Sequence, residues 1–115
     1  MKRDDAFLED IHNAAERVAR FIEGLSREQF LTDEKTQSAV IREIEVMGEA
    51  ANRVSEEFRT AHPEIGWKDL ARLRNFYIHA YRGVQAEKVW QTARGIVRRT
   101  QQQVASLLPP IEDES

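Results

Sequence analysis

The sequence predicts an all-α fold, an up-and-down bundle of four long helices plus one short helical turn. Three observations predict it. Apolar residues recur at spacings of three and four along four long stretches. The 5 Gly and 3 Pro fall mainly where those stretches end. No stretch shows the two-residue alternation of a strand, and no internal repeat is present.

The first helix is expected over residues 4–24, where Phe7, Leu8, Ile11, Ala14, Ala15, Val18, Phe21, Ile22 and Leu25 form a stripe. Ser26-Arg27-Glu28-Gln29 has the form of a capping box, which predicts a short helical turn after Gly24. Thr32 or Asp33 can cap the next helix, whose stripe of Val40, Ile44, Met47, Ala51, Val54 and Phe58 predicts one element up to Arg59. His62-Pro63 ends it, because the residue before proline is pushed out of helical geometry. After a loop over 63–66, a third helix is expected from Trp67 to Ala80, with Leu70, Leu73, Tyr77 and Ala80 inward and Gly83 as a left-handed cap. The fourth spans Gln85 to Leu108, weakened at Gly95 and stopped by Pro109-Pro110. One domain, residues 1–110, is expected, followed by a frayed acidic tail, 111–115.

The absence of cysteine excludes disulfides, thiolate metal sites and cysteine nucleophiles. MKRDDAFLED turns acidic where a secretion signal needs an apolar run, and no stretch is long and apolar enough for a membrane span. A cytoplasmic location is expected. The net charge of −3 opposes nucleic-acid binding at long range. Leu70 to Ala86, however, has no carboxylate and carries Arg72, Arg74, His79 and Arg82, so this window can still recruit phosphate.

Within that window Arg74-Asn75-Phe76-Tyr77-Ile78-His79-Ala80-Tyr81 fits Arg-x4-His-x-Tyr. The residue types suit phosphodiester cleavage in RNA. Histidine shuttles protons near neutral pH. A guanidinium holds phosphate by two hydrogen bonds and stabilises a pentavalent transition state. RNA supplies its own nucleophile, the 2′-hydroxyl. Residues five apart on a helix stand about 140° apart and about 7.5 Å along the axis. Arg74 and His79 are therefore not on one stripe, whereas Asn75 and His79 are. The site is expected in the sector between Arg74 and His79, lined by Ala71, Asn75 and Ile78, or across a dimer with Arg74 of one chain facing His79 of the other. The competing structural reading makes His79 a core histidine and Arg74 a surface residue.

The neighbourhood of the motif resembles the HepT family of HEPN domains over most of the chain. Gly48-Glu49-Ala50-Ala51 matches a patch in the second helix, and Pro63-Glu64-Ile65-Gly66-Trp67 precedes the third. Arg74, Asn75, His79 and Tyr81 then follow in order, with Gly83-Val84 and Val89-Trp90 beyond them. Two departures, Gln85 where an aspartate is common and Ile96-Val97 where Leu-Pro is common, lie outside the motif. The resemblance implies an HEPN-like bundle and a metal-independent ribonuclease toxin acting as a homodimer. Its antitoxin would be a minimal nucleotidyltransferase that adds AMP to the motif tyrosine, here Tyr81. It implies Arg74 and His79 as catalytic residues, needing no cofactor or metal. Asn75 and Glu49 are candidate supporting residues, and Arg72 and Arg82 candidate RNA contacts.

Other charged residues have blander readings. Arg42, Glu45 and Glu49 form a stripe that reads as a solvated ion-pair face, with Glu49 beside Arg74 or His79 as the alternative. His12 reads as structural and His62 as incidental, and the three histidines lack metal-ligand spacing. Arg94, Arg98 and Arg99 read as a solvated face that could extend an RNA surface. A second function class remains open, a non-catalytic helical subunit that binds a nucleotide or a nucleotidyltransferase. A generic dimeric adaptor ranks last.

Overall fold

A computed structural model describes residues 2–79 and 85–109 of the chain, and among them there are helices and turns but no strand. In order these are α1 (Lys2–Ile22), α2 (Arg27–Leu31), α3 (Glu34–Arg53), α4 (Glu56–Ala61), α5 (Trp67–His79), α6 (Ala86–Thr92), a π-helical turn (Ala93–Val97) and α7 (Arg98–Ala105). The expected all-α bundle is present. Ala80, the Gly83 cap and the 111–115 tail lie outside the described residues.

Leu8, Ile11, Ala14, Ala15 and Val18 of α1 are completely buried against the Val40, Ile44, Met47 and Ala51 stripe of α3. The two helices run antiparallel. Arg17 Nε donates to Glu43 Oε1 at 3.0 Å near the middle, and Asp4 near the start of α1 meets Ser55 just past the end of α3. α5 packs on the other flank of α3, and α7 on the other flank of α1. The Ser26 capping box forms as expected. Its hydroxyl accepts from Gln29 N–H at 3.1 Å, and Gln29 Oε1 accepts from Ser26 N–H at 2.8 Å. This short α2 turns Phe30 inward onto Trp90, with ring centroids 5.1 Å apart. Of the two candidate caps for α3, Asp33 does the work, accepting from Thr36 N–H at 3.0 Å.

Three boundaries differ from the sequence reading. The second long helix does not run to Arg59. It stops at Arg53, Val54 turns extended (φ −65°, ψ 140°), and Ser55 caps the separate α4. The cause is a distant partner. The buried Asp4 carboxylate accepts from Ser55 N–H at 2.8 Å and from Ser55 Oγ at 2.7 Å, while Oγ accepts from Phe58 N–H at 3.1 Å. Val54 stays buried through the break, so the apolar stripe continues across it and hides it. The second difference is Phe21, which is exposed because α1 ends one residue later and Ile22 takes the inward side. The third is the last helix, which widens into a π-turn around Gly95. Val89, Ala93 and Val97 are all buried at four-residue spacing, which drifts by about 40° per step on a regular α-helix. A wider turn absorbs the drift and keeps the three on one side.

The Asp4 carboxylate lies below its ordinary pKa, first because of the Ser55 backbone N–H and then because of the Ser55 hydroxyl. A lowered native value means that this tether stabilises the fold fully above the unfolded-chain value of about 3.9. The contribution is lost as pH falls through the lower native value. Asp4→Ala leaves a part-buried N–H unpaired and should cost about 1–3 kcal/mol at pH 7. Urea unfolding of both proteins at pH 7 and pH 3 checks this, with the difference shrinking at the lower pH.

Candidate active site

The site begins with a glycine. Gly48 on α3 faces α5 so closely that a β-carbon there would overlap the Arg74 Cβ and lie 2.8 Å from the Leu70 carbonyl oxygen. Only a residue without a side chain lets the two backbones meet at this distance. Ala50 and Ala51 continue the small-residue patch, both buried. On the adjoining face of α5, Leu70 and Tyr77 enter the core, and the Tyr77 hydroxyl lies 3.1 Å from Thr92 Oγ1. Burial pushes the Tyr77 phenol up, the Thr92 hydrogen bond opposing it. α5 is thus fixed from both sides, which fixes where Arg74 leaves it.

Arg74 is half-buried and held at two atoms. One terminal nitrogen is 3.0 Å from Glu49 Oε1, and the other donates to Asn75 Oδ1 at 3.0 Å. The second oxygen of Glu49 accepts from Arg53 Nε at 3.2 Å. Two guanidinium groups therefore share one carboxylate. A guanidinium has five N–H donors, so Arg74 retains three for a further acceptor. A cleft of about 400 Å³ lies beside it, walled by Phe7, Asp10, Glu45, Val46, Glu49, Ala50, Arg53 and Arg74. Its lining holds three carboxylates, Asp10, Glu45 and Glu49, and two guanidinium groups, Arg53 and Arg74, so an anion is favoured only on the Arg74 side.

The structure therefore brings Arg74, Asn75 and Glu49 together. The reading of Arg42, Glu45 and Glu49 as one solvated ion-pair stripe does not hold for Glu49, whose partners are Arg53 and Arg74. Arg53 escaped the sequence reading, although its position four residues after Glu49 was the available signal. Arg72 stands exposed, with its guanidinium 3.4 Å from Asp69. The described part of α5 reaches His79, and the His79 side chain, Tyr81 and Arg82 lie outside the described residues. His62 stacks on Phe58 with ring centroids 4.3 Å apart, and its carbonyl accepts from Trp67 Nε1 at 2.9 Å, so it serves the loop before α5. His12 lines a separate groove between α1 and α7 that Arg94 and Arg98 also border.

Comparison with known proteins gives the family. Residues 11–107 match the family model described as Ribonuclease HepT-like. "Probable ribonuclease HepT" of Thermococcus cleftensis is 44% identical over 95 residues, covering 82% of this chain and 86% of that protein. A "Putative RNase" of Methanocaldococcus jannaschii is 37% identical over 109 residues, 95% of this chain and 90% of its own. Another, from Caldanaerobacter subterraneus subsp. tengcongensis, is 32% identical over 108 residues, 94% and 96%. No solved structure matches. The chain belongs to the HepT-like ribonuclease family.

Two glycines give a paired prediction. Gly48→Ala overlaps α5 and should cost about 1–3 kcal/mol, shifting Arg74 with the helix. At Gly95 a β-carbon meets nothing within 4 Å, so Gly95→Ala should be neutral or stabilising by up to about 1 kcal/mol. Chemical denaturation of both variants reads the opposite signs.

Proposed function

We propose that the chain is an endoribonuclease toxin that cleaves RNA without a metal ion. A minimal nucleotidyltransferase antitoxin then silences it by adding AMP to Tyr81. The observation that carries the first part is the Arg74 guanidinium, oriented by Glu49 and Asn75 with donors to spare, on the helix that also carries His79. The naming of the relatives as ribonucleases supports the same reading.

The chemistry is a transesterification. The 2′-oxygen attacks the adjacent phosphorus, its proton passes to a base, and the P–O5′ bond breaks as the leaving oxygen gains a proton. Products are a 2′,3′-cyclic phosphate and a 5′-hydroxyl. His79 is the proton-transfer group. Arg74 binds the non-bridging oxygens and neutralises the charge that builds there. Glu49 acts through Arg74, limiting its rotamers, and Asn75 fixes the guanidinium plane. Arg72 and Arg82 bind neighbouring phosphates. The protein works as a homodimer with the Asn75–His79 sector of each chain toward its twin.

Control rests on Tyr81. Its phenol oxygen attacks the α-phosphorus of ATP, loses its proton and expels pyrophosphate. The adduct places a negative phosphate and an adenosine beside the groups that bind RNA. Of the 2 tyrosines in the chain, Tyr77 is completely buried and bonded to Thr92, so it is no acceptor.

Arg74→Ala and His79→Ala should each lower the cleavage rate of an RNA oligonucleotide by about 10²–10⁴-fold with circular dichroism unchanged. Cleavage should persist in EDTA, and restoration by magnesium of activity lost to chelation would overturn the metal-free mechanism. Incubated with the nucleotidyltransferase, ATP and magnesium, wild type should gain the mass of AMP and lose activity. Tyr81→Phe should stay active and unmodified. Mass spectrometry decides, and an adduct on the Phe variant would sink this mode of control.

A further inference from the structure

Arg53 is the last residue of α3, one turn beyond Glu49 and just before the break that Asp4 holds at Ser55. An acid followed four residues later by an arginine is the favourable order on a helix, and a cation suits a helix C-terminus. Both reasons concern α3 alone. A third concerns the neighbouring helix and follows from which carboxylate oxygen Arg53 takes.

Arg53 Nε donates to Glu49 Oε2 at 3.2 Å, and a terminal nitrogen of Arg74 meets the other oxygen, Oε1, at 3.0 Å. The second terminal nitrogen of Arg74 donates to Asn75 Oδ1. A guanidinium and a carboxylate side by side favour a fork of two parallel bonds, yet here one oxygen of Glu49 is engaged elsewhere. A full fork would occupy the paired donors with which an arginine grips a phosphate, because phosphate is also held by two bonds. The Glu49 side chain is 45% exposed, so it has room to turn onto Arg74 if released. Charge points the same way. Three carboxylates and two guanidinium groups line the cleft, a sum of −1. Without Arg53 the sum is −2, and Arg74 is the one cation left among Asp10, Glu45 and Glu49.

We propose that Arg53 is a positioning residue for Arg74. By holding Oε2 it stops Glu49 from closing as a fork on Arg74, and so keeps that guanidinium open to an RNA phosphate. Arg53 itself touches no substrate. The role deepens the ribonuclease reading and rests on it for the phosphate, while the three side chains belong to one chain and need no partner to meet.

Four proteins test this, namely wild type, Arg53→Met, Glu49→Gln and the double variant. Each is read by cleavage of an RNA oligonucleotide and by fluorescence anisotropy with a labelled, non-cleavable 2′-O-methyl strand. Arg53→Met removes the charge and keeps an apolar stem, and both readouts should fall by roughly 10-fold, the scale of one charge-assisted hydrogen bond. A neutral amide does not close on a guanidinium as a charged fork. In the Glu49→Gln background Arg53→Met should therefore change neither readout, and the double variant should bind more tightly than Arg53→Met alone. A loss of similar size in both backgrounds overturns the role, whether it comes from damage to α3 or from direct contact with RNA. Direct contact would also lower the slope of log affinity against log salt by about 0.7 between Glu49→Gln and the double variant. Wild-type binding and cleavage by Arg53→Met overturn the role as well. If wild type binds the strand without cleaving RNA, and binding shows the rescue, the positioning role stands and the catalytic reading falls. If His79→Ala is dead while Arg53→Met cleaves and binds normally, the reverse holds. Wild type that neither binds nor cleaves RNA removes both.

Discussion

At Gly48 two helix backbones pass within a distance that no side chain permits, and the rest of the site is referred to that contact. The approach places the Arg74 Cβ directly over the glycine, so the Arg74 side chain must leave along α3 rather than away from it. It then reaches Glu49, the next residue of α3, without stretching. Glu49 in turn is braced by Arg53 one turn on. A chain of short-range constraints thus turns a missing β-carbon into an oriented guanidinium. Tyr77, one turn beyond Arg74, completes the arrangement, and its bond to Thr92 ties α5 to α6.

Glu49 sets a balance rather than a simple attraction. Alone beside Arg74 it would cancel the charge needed for a phosphate. Shared with Arg53, the three groups retain one net positive charge beside the cleft, while Asp10 and Glu45 in the same lining disfavour an anion elsewhere in it. Both pairs are partly exposed, so their worth to stability is small. Their effect is to limit the rotamers of Arg74 before any ligand arrives.

Much of this was legible in the sequence, and the failures share a cause. The helices, the Ser26 box, the Asp33 cap and the inward faces of α3 and α5 depend on residues within a few positions of one another, and local pattern suffices for them. The break at Ser55 depends on Asp4, 51 residues earlier, and the apolar stripe runs on through it. The exposure of Phe21 depends on where its helix stops. Glu49 was visible as an acid on a stripe, but its partner Arg74 belongs to another helix, and no periodicity within α3 can reveal it. Gly48 was legible as a letter in a family pattern, whereas its reason is a backbone approach that exists only once α5 is in place.

The segregation of charge along the chain also bears on how the molecule meets a polyanion. Cations are spread along the whole chain, ten before Leu70 and seven from it onward, but sixteen of the 20 acids precede Leu70, so the later part is locally cationic despite the small negative total. In the field of RNA the net charge is pushed away weakly, but uneven charge experiences a torque that turns the cationic parts of the surface forward. Encounter then becomes a problem of rotation more than of translation, and the molecule arrives already facing its target. Such alignment reaches over about one Debye length, roughly 8 Å at physiological ionic strength, and shrinks as salt is added. Capture from dilute solution is therefore governed by the ionic medium, while the chemistry that follows contact is much less so.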